Sequence, residues 1–524
     1  RIIGNNPAAD NAEITAVASG TLPSGKTVVV NSDGTVSVAG INTVTETVGS
    51  SVVFESGSAV SNSSAYDSNA QKVVVSYLDA GNSNRGTAVV GTISGTSVSF
   101  GTPVVFDTGS TNGGAIAYDA NAQKVVIAYN LSNSGKAIVG TVSGSSISFG
   151  SVVDLGANAQ GITVVYDSSA QKVVVSYYNN SSSNYGTSRV GTISGTGISF
   201  GTAVVFASHN AGYYMSQAFD STNSKVVIAY TNSSDGQKGT SIVGTVSGTN
   251  ISFGSAVVFD TGEISFLDVA YDAAAGKAVI VYMKGPGGNQ GSSAIVGTVS
   301  STSISFGTAV VYDSGSGNEN NTIVYHEAAE KVIVVYWDNS NSDRATALTG
   351  TVSGTTISFA NSVVLEQGAS SYISPAYDST NEVVFVALTD GGNSNYGTGV
   401  VYQPTYSFTN LTAENFIGFS GGVVVQNIFS QASGTPVQFE PDSVEYLATA
   451  YDSNSNRVVI VYGDTGDSNK GKAVVVTVND ANNSVSFGTP VVFEAGYSRH
   501  IAATFDSNSN KIVIMCSDGG NSSY

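Results

Sequence analysis

An aromatic residue followed by an acid recurs along the chain: Tyr66-Asp67, Tyr118-Asp119, Tyr166-Asp167, Phe219-Asp220, Tyr271-Asp272, Tyr377-Asp378, Tyr451-Asp452 and Phe505-Asp506, with Tyr325-His326 as the one pair lacking the acid. Neighbouring pairs lie 48 to 54 residues apart, except for a gap of 74 between Tyr377 and Tyr451. A fixed period of about 50 residues marks a stacked or radial array and constrains the fold before any motif is read. A cation follows five residues after the acid position (Lys72, Lys124, Lys172, Lys225, Lys277, Lys331, Arg457, Lys511), and in most units a tyrosine follows at ten, as at Tyr77 and Tyr129. The runs between, such as KVVVSY and KVVIAY, are short, β-branched and bounded by Asn, Ser, Asp and Gly, which predicts strands buried on both faces.

Each unit reads as four strands. In the first they fall at 63–67, 72–77, 87–94 and 97–106, with tight turns after the first and third. The second strand leads to the third through DAGNSNRG, and the fourth leads to the next unit through DTGSTNGG, loops long enough to cross from one blade's outer edge to the next blade's inner strand. That is the logic of a β-propeller, which protects its sheet edges by radial repetition. Seven sets of the first three strands begin at 66, 118, 166, 219, 271, 325 and 377, but only six fourth strands follow them. The missing one lies in front: 48–54 carries the fourth-strand pattern, with Gly49 placed as Gly101 is and Phe54 twelve residues before Tyr66. The expectation is an all-β chain: a seven-bladed β-propeller of four-stranded blades over 46–403, closed by an N-terminal strand. The last blade departs from the pattern, with Val383 at the Lys position and Leu388 at the Tyr position.

Residues 1–45 precede the repeat as a linker with a hairpin at 26–40, and 404–433 read as a linker between propellers. Residues 434–524 start a second, incomplete propeller, in which 434–439 again has the pattern of a closing strand. One whole blade and two strands of another follow it, so the natural chain is expected to continue. Arg1 opens without Met or a signal-peptide pattern, so the start is expected to be incomplete or processed.

Composition narrows the partners. The net charge of −19, with 19 Lys and Arg against 38 Asp and Glu, repels phosphate backbones and anionic lipid and argues against nucleic acid. No apolar run approaches the roughly 20 residues of a membrane span, which argues against insertion. The single cysteine, Cys516, takes the position of the repeat tyrosine, reads as a core residue, and leaves no intrachain disulfide framework.

The two ends of such blades differ. Turns between first and second strands are monotonous (DSNAQK, DANAQK, DSSAQK), whereas the opposite, loop face carries Arg85, Tyr185, His209, Tyr213, Tyr214, Phe266, Trp337, Arg344, Tyr372 and Tyr396. Unlike residues on a repeated scaffold are where recognition is built. Aromatics among Asn, Ser and Asp suit sugars, since a ring covers a pyranose face while amides bond its hydroxyls. The receptor-binding candidates are Tyr185, His209, Tyr213, Tyr214, Trp337, Arg344, Tyr372 and Tyr396; the plainer alternative is tyrosine loops anchored by partial burial.

Three loops read D-x-G-[N/D]-S-N, which makes Asp79, Asn82, Asn84, Asp390, Asn393 and Asn395 candidate Ca²⁺ ligands. The EF-hand spacing and its bidentate Glu are missing, and Asx-turn chemistry explains such loops more simply. No other cofactor is implied. His326, Glu327 and Glu330 form the densest titratable cluster, and a lone histidine in a turn reads as solvated rather than catalytic. Asp67 and Lys72 bracket a turn and are expected to pair across it, for about 0 to 1 kcal/mol. A faint likeness to the sialidase Asp-box fails at its Trp and its spacing. Glycan cleavage would need two carboxylates converging in the central channel or on the loop face.

The leader ASGTLPSGKTVVVNSDGTVSVAG, the repeat YDxxxxKVVVxY…VGTVSGTSISFGTxVVF and the segment NLTAENFIGFS resemble repeat-rich tail proteins of marine bacteriophages. The resemblance implies a non-enzymatic virion structural protein, a tail fibre or tail-associated adhesin located extracellularly on the virion. Its implied partners are a host-surface glycan or protein, other tail proteins, and further copies of itself in a homo-oligomer. The alternatives are a bacterial cell-surface or S-layer-like structural or adhesion protein and, third, a glycan-cleaving enzyme.

Overall fold

The computed structural model describes residues 40–410 apart from 157, 286–289, 316 and 318–319, and residues 438–519 apart from 453–454, 456, 480–483, 507–508 and 510. Before residue 40 it describes the short strand pieces 2–3, 13–14, 17–18, 28–30 and 35–38. Contacts divide the chain into two compact units, Ile41–Phe408 and a second made of Arg1–Gly40 with Thr409–Tyr524. The described residues are all-β and antiparallel apart from one short parallel pairing, with 3-10 turns as the described helical pieces.

In Ile41–Phe408 one ladder recurs. The later part of strand Val52–Asp67 pairs with Lys72–Asp79, with Tyr66 opposite Val73 and Asp67 opposite Lys72. Lys72–Asp79 pairs with Arg85–Ser94, placing Val75 opposite Val89. Arg85–Ser94 then pairs with Ser97–Phe100 through its later half and with the start of Val104–Asp119 through its first half. The same order is repeated at Tyr118, Tyr166, Phe219, Tyr271, Tyr325 and Tyr377. As the continuous apolar runs predict, the second strands are buried on both faces: the six central residues of Lys72–Asp79 are all buried.

In four junctions the segment expected as a loop between the fourth strand and the next unit is instead strand, whereas Val153–Asp154 and Ala159–Asp167, Val204–Asn210 and Met215–Asp220, and Val310–Asp313 and Thr322–His326 remain separate strands. Val52–Asp67, Val104–Asp119, Val257–Asp272 and Val363–Asp378 each run unbroken for 16 residues. The first half of Val104–Asp119 bonds one sheet and the second half the next, with a register shift between Asn112 and Gly114. The physical reason is that backbone groups leaving one ladder find partners in the next, and a bulge supplies the change of direction that a loop would otherwise make.

Adjoining sheets are locked at both ends. The N–H of Asn69 donates to the Tyr118 hydroxyl at 3.3 Å, Asn121 to Tyr166 at 3.3 Å, and Ala328 to Tyr377 at 3.2 Å, so each anchor tyrosine holds the turn of the sheet before it. A Cβ on Gly101 would stand 1.8 Å from the Ser145 carbonyl oxygen of the next sheet, which makes that glycine a close-approach point. The front of the unit meets its end in the same ways. Tyr396–Gln403 pairs with the front strand, Thr398 opposite Val53 and Tyr402 opposite Val48. Tyr66 donates to Thr380 Oγ1 at 2.6 Å, and a Cβ on Gly49 would stand 1.9 Å from the Thr96 carbonyl oxygen. Phe54, Tyr77 and Val89 share a buried cluster with Val383, Phe385 and Val401.

Two sequence expectations are corrected. Asp67 and Lys72 stand in register, but Asp67 is buried and its Oδ1 accepts the N–H groups of Asn69 and Ala70 at 3.0 and 2.9 Å, while Lys72 Nζ donates to the Gln71 carbonyl. The acid therefore caps its own turn, which satisfies the buried carboxylate with the N–H groups of that turn. His326 is 0% exposed rather than solvated. It stands in the acid's place and does the acid's work: Nδ1 accepts the N–H of Ala329 at 3.1 Å, and Nε2 donates to the Glu382 carbonyl at 2.8 Å. Burial pulls its pKa down, so the ring is neutral.

In the second unit the ladder runs through Val444–Asp452, Arg457–Asp464, Lys470–Asn479 with Ser484–Phe487, Val491–Asp506 and Lys511–Asp518. Phe439 packs on Tyr462 at 5.2 Å, as Phe54 does on Tyr77 at 5.3 Å. The predicted hairpin is present as Val28–Val30 paired with Thr35–Val38; its turn and the linker 411–433 lie outside the described residues. Cys516 is half-buried in Lys511–Asp518.

Candidate functional site

Five residues before six of the seven anchor aromatics of Ile41–Phe408 the backbone enters the left-handed region, Tyr214 before Phe219 being the exception. Ser61, Gly113, Gly161, Phe266, Asn320 and Tyr372 have φ of 53°, 56°, 53°, 45°, 53° and 47°. Only glycine adopts this region freely, so Phe266 and Tyr372 carry real backbone strain, of a kind that clusters at binding sites. In the Tyr66, Tyr118 and Tyr166 sheets the bulge residue is small, and there a depression of ≈ 270 Å³ opens. Its lining includes Ser61, Asn62, Asn112, Asn130, Gln160 and Tyr213, and no charged side chain.

These side chains are held from behind. Asn130 Nδ2 donates to the Ala159 carbonyl at 2.7 Å, and its Oδ1 accepts the N–H of Asn133 at 3.2 Å. Gln160 Nε2 donates to Asn158 Oδ1 at 3.1 Å. Asn62, 9% exposed, donates through Nδ2 to the Tyr372 carbonyl at 3.1 Å and to Thr389 Oγ1 at 3.2 Å, which fixes the amide's orientation and leaves Oδ1 with no partner. Tyr213 stands 74% exposed at the rim, edge-on to Tyr178 with ring centroids 5.2 Å apart. A Cβ on Gly161 would come within 2.8 Å of the Tyr213 carbonyl oxygen and 3.0 Å of the Tyr178 ring, so this rim requires glycine there.

The residues singled out in the sequence fall into two groups. Tyr213 and Tyr214 lie between strands Val204–Asn210 and Met215–Asp220, Tyr213 in the lining of the depression and Tyr214 packed on Phe266 at 4.6 Å, and Tyr372, 43% exposed, stands at a bulge and accepts through its carbonyl from Asn62 of that lining. The others do not join them. Tyr185, Arg344 and Tyr396 each begin the third strand of a different sheet, half-buried, opposite Asn179, Asp338 and Asp390. Arg344 is committed to the Gln367 carbonyl at 3.0 Å and to Asn341 Oδ1 at 3.3 Å. His209 lies against Tyr230 at 5.9 Å, and burial pulls its pKa down against the opposing pull of Asp235. Trp337 is half-buried against the cluster of Leu365, Leu388 and Tyr402 rather than free on a loop. Sequence reading missed Ser61, Asn62, Asn112, Asn130 and Gln160, although aligning the units on their anchors exposes the small residues at the bulge.

The Ca²⁺ candidates are turn residues. Ala80–Asn82 and Gly391–Asn393 are 3-10 turns, followed by Ser83 and Asn84 and by Ser394 and Asn395 in the left-handed region. The carbonyl of Asn84 accepts the N–H of Thr111 at 3.0 Å, and that of Asn395 accepts the N–H of Ala59 at 3.2 Å. Burial, joined by Glu55 or Glu366 nearby, pushes the Asp79 and Asp390 carboxyls up. Among the described residues the one set of three acidic groups with ligand atoms within 4.8 Å of each other is Glu440, Asp442 and Asp464, where Lys472 already bonds Asp464.

No family model matches the chain, and no curated protein matches it. Among solved structures it is similar to a protein from Lactobacillus plantarum, at 12% identity over 59% of this chain and 86% of that one, with a TM-score of 0.45. It is also similar to the SapL1 lectin solved in complex with alpha methyl fucoside, at 12% identity over 58% of this chain and 96% of that one, with a TM-score of 0.38.

Proposed function

We propose that Ile41–Phe408 is a seven-bladed β-propeller closed by its front strand, and that the chain is an attachment protein, a phage tail fibre or tail-associated adhesin, whose bulge face meets a glycan on the host surface. The observation that carries this reading is the uncharged, amide-lined depression with the exposed ring of Tyr213 at its rim, on an otherwise monotonous scaffold. A rigid array of ladders holds such a surface in place, so contact costs little ordering entropy. The recurrent carboxylates of this unit serve structure: Glu55, Asp107, Asp260 and Asp313 each accept a core tyrosine hydroxyl, at 2.7 to 2.9 Å. The role is therefore binding rather than chemistry, and a homo-oligomer on a virion tail multiplies a weak single contact into avidity.

The test is binding of the whole chain to candidate host cells, beside a double variant Tyr213→Ala, Tyr372→Ala. Saturable binding by the parent and its loss in the variant support attachment through this face. A folded parent that binds no host cell overturns the reading in favour of a spacer on a tail or a bacterial surface.

A further inference from the structure

The depression is confined to one sector of the repeat. Small bulge residues (Ser61, Gly113, Gly161) open it, whereas the corresponding positions in the Tyr271 and Tyr377 sheets are filled by Phe266 and Tyr372. A repeat that built one site per unit would place alike residues at alike positions; this one places unlike residues there. We infer that Ile41–Phe408 carries a sugar subsite, at the junction of the Tyr66, Tyr118 and Tyr166 sheets, that takes one neutral pyranose with its face toward Tyr213. The inference rests on the attachment reading and specifies where and for what chemistry that face is selective.

Three features fix the ligand class. Tyr213 offers an exposed ring braced by Tyr178, a platform for the C–H face of a sugar. Beside it the lining holds the amides of Asn62, Asn112, Asn130 and Gln160 and the Ser61 hydroxyl, with Ile162 and glycines as its apolar part. Amides both donate and accept, which suits the hydroxyls of a sugar. The lining holds no Lys or Arg to receive a carboxylate or sulfate, and the chain's −19 charge repels one. The volume of ≈ 270 Å³ suits one ring rather than a chain of them.

The experiment uses the whole chain on a glycan array bearing glucose-, galactose-, mannose- and N-acetylglucosamine-terminated oligosaccharides beside sialylated and sulfated ones, followed by titration calorimetry with the best neutral probe. The expected result is binding to a neutral terminus at one site per chain, weakened at least tenfold by Tyr213→Ala and by Asn112→Ala, and unchanged by Tyr185→Ala or Tyr396→Ala at the starts of their third strands. Gly161→Val, which fills the rim, should abolish it. Asn112→Ala keeps the test open if the glycine variant fails to fold. Neutral-glycan binding that survives the pocket variants but is lost in Tyr185→Ala or Tyr396→Ala overturns this site and leaves attachment standing. Preference for sialylated or sulfated probes, or host-cell binding with no glycan bound on the array, overturns the neutral-sugar class. Absence of cell binding overturns the attachment reading itself.

Discussion

The Ser374 hydroxyl accepts the backbone N–H of Ser64 at 2.9 Å, and the Ser64 hydroxyl donates back to the Ser374 carbonyl at 2.9 Å, across 310 residues of chain. Interior junctions use the same device: the N–H of Ile116 donates to Ser63 Oγ at 3.2 Å, and that of Ile323 to Asp268 Oδ2 at 2.9 Å. The junction of the last sheet with the first is thus built like the junctions between consecutive sheets. This likeness supports the closed-ring reading.

The front strand should therefore matter as much as an interior one. Phe54 packs on Tyr77 and Phe100 at 5.3 and 5.4 Å, as Phe106 packs on Tyr129 and Phe149 at 5.1 and 5.6 Å. Phe54→Ala and Phe106→Ala should each cost about 3–5 kcal/mol in urea unfolding. A cost under about 1 kcal/mol for Phe54→Ala alone would show that the front strand does not complete the last sheet.

Gly101 and Gly95 separate close approach from backbone strain. Gly95 has φ of 57° with nothing near its missing Cβ, so Gly95→Ala should cost about 1–2 kcal/mol. Gly101→Ala drives a methyl group into the Ser145 carbonyl and should cost more, lowering the Tm further than its partner variant does. Equal Tm values would count against the inter-sheet contact.

Alkaline titration reads the core tyrosines. Burial pushes Tyr66, Tyr230, Tyr377 and Tyr402 up to about 12, and drives Tyr77, Tyr129, Tyr282 and Tyr336 further in the same direction, with Glu55, Asp107, Asp260 and Asp313 adding to it. The unfolded chain releases these protons near pH 10 while the fold retains them, so stability is complete below about 10 and falls as pH rises beyond it. Absorbance at 295 nm should show these phenols ionising together with unfolding. Their full titration near pH 10 in a chain that keeps its circular dichroism would contradict the burial described.

His326 sets an acid limb. Its folded pKa lies below the ordinary value of about 6.5, so the unfolded chain takes up a proton first and stability is lost as pH falls from about 6.5 toward the folded pKa. His326→Asp restores the residue used in the other units of Ile41–Phe408 and should shrink the fall in Tm between pH 7.5 and 5.5. An unaltered fall would assign the effect elsewhere.

Much of the fold was legible because the repeat aligns chemistry with register. Asp67 opposite Lys72 and Val75 opposite Val89 follow from the anchor and the turn lengths alone. What stayed hidden depends on where strands cross. The bond from the Tyr77 hydroxyl to Glu55 spans 22 residues, and nothing local distinguishes that acid from a solvated one. The centres of the 16-residue strands read as loops because their Gly, Ser and Asn residues lack β-propensity, which pairing on both sides overrides.

The sequence by itself determined the all-β class, the unit boundaries, the burial of the second strands and the pairing of residues 48–54 with the last set, since strand alternation and turn length act over a few residues and repeat with the period. Tertiary structure alone decided which varied residues meet. Tyr213 comes to one depression with Asn62, Asn112 and Gln160, while Tyr185, Arg344 and Tyr396 are held apart on separate sheets. Convergence is set by the rotation from sheet to sheet and by the size of one bulge residue in each, and neither is written in any single unit.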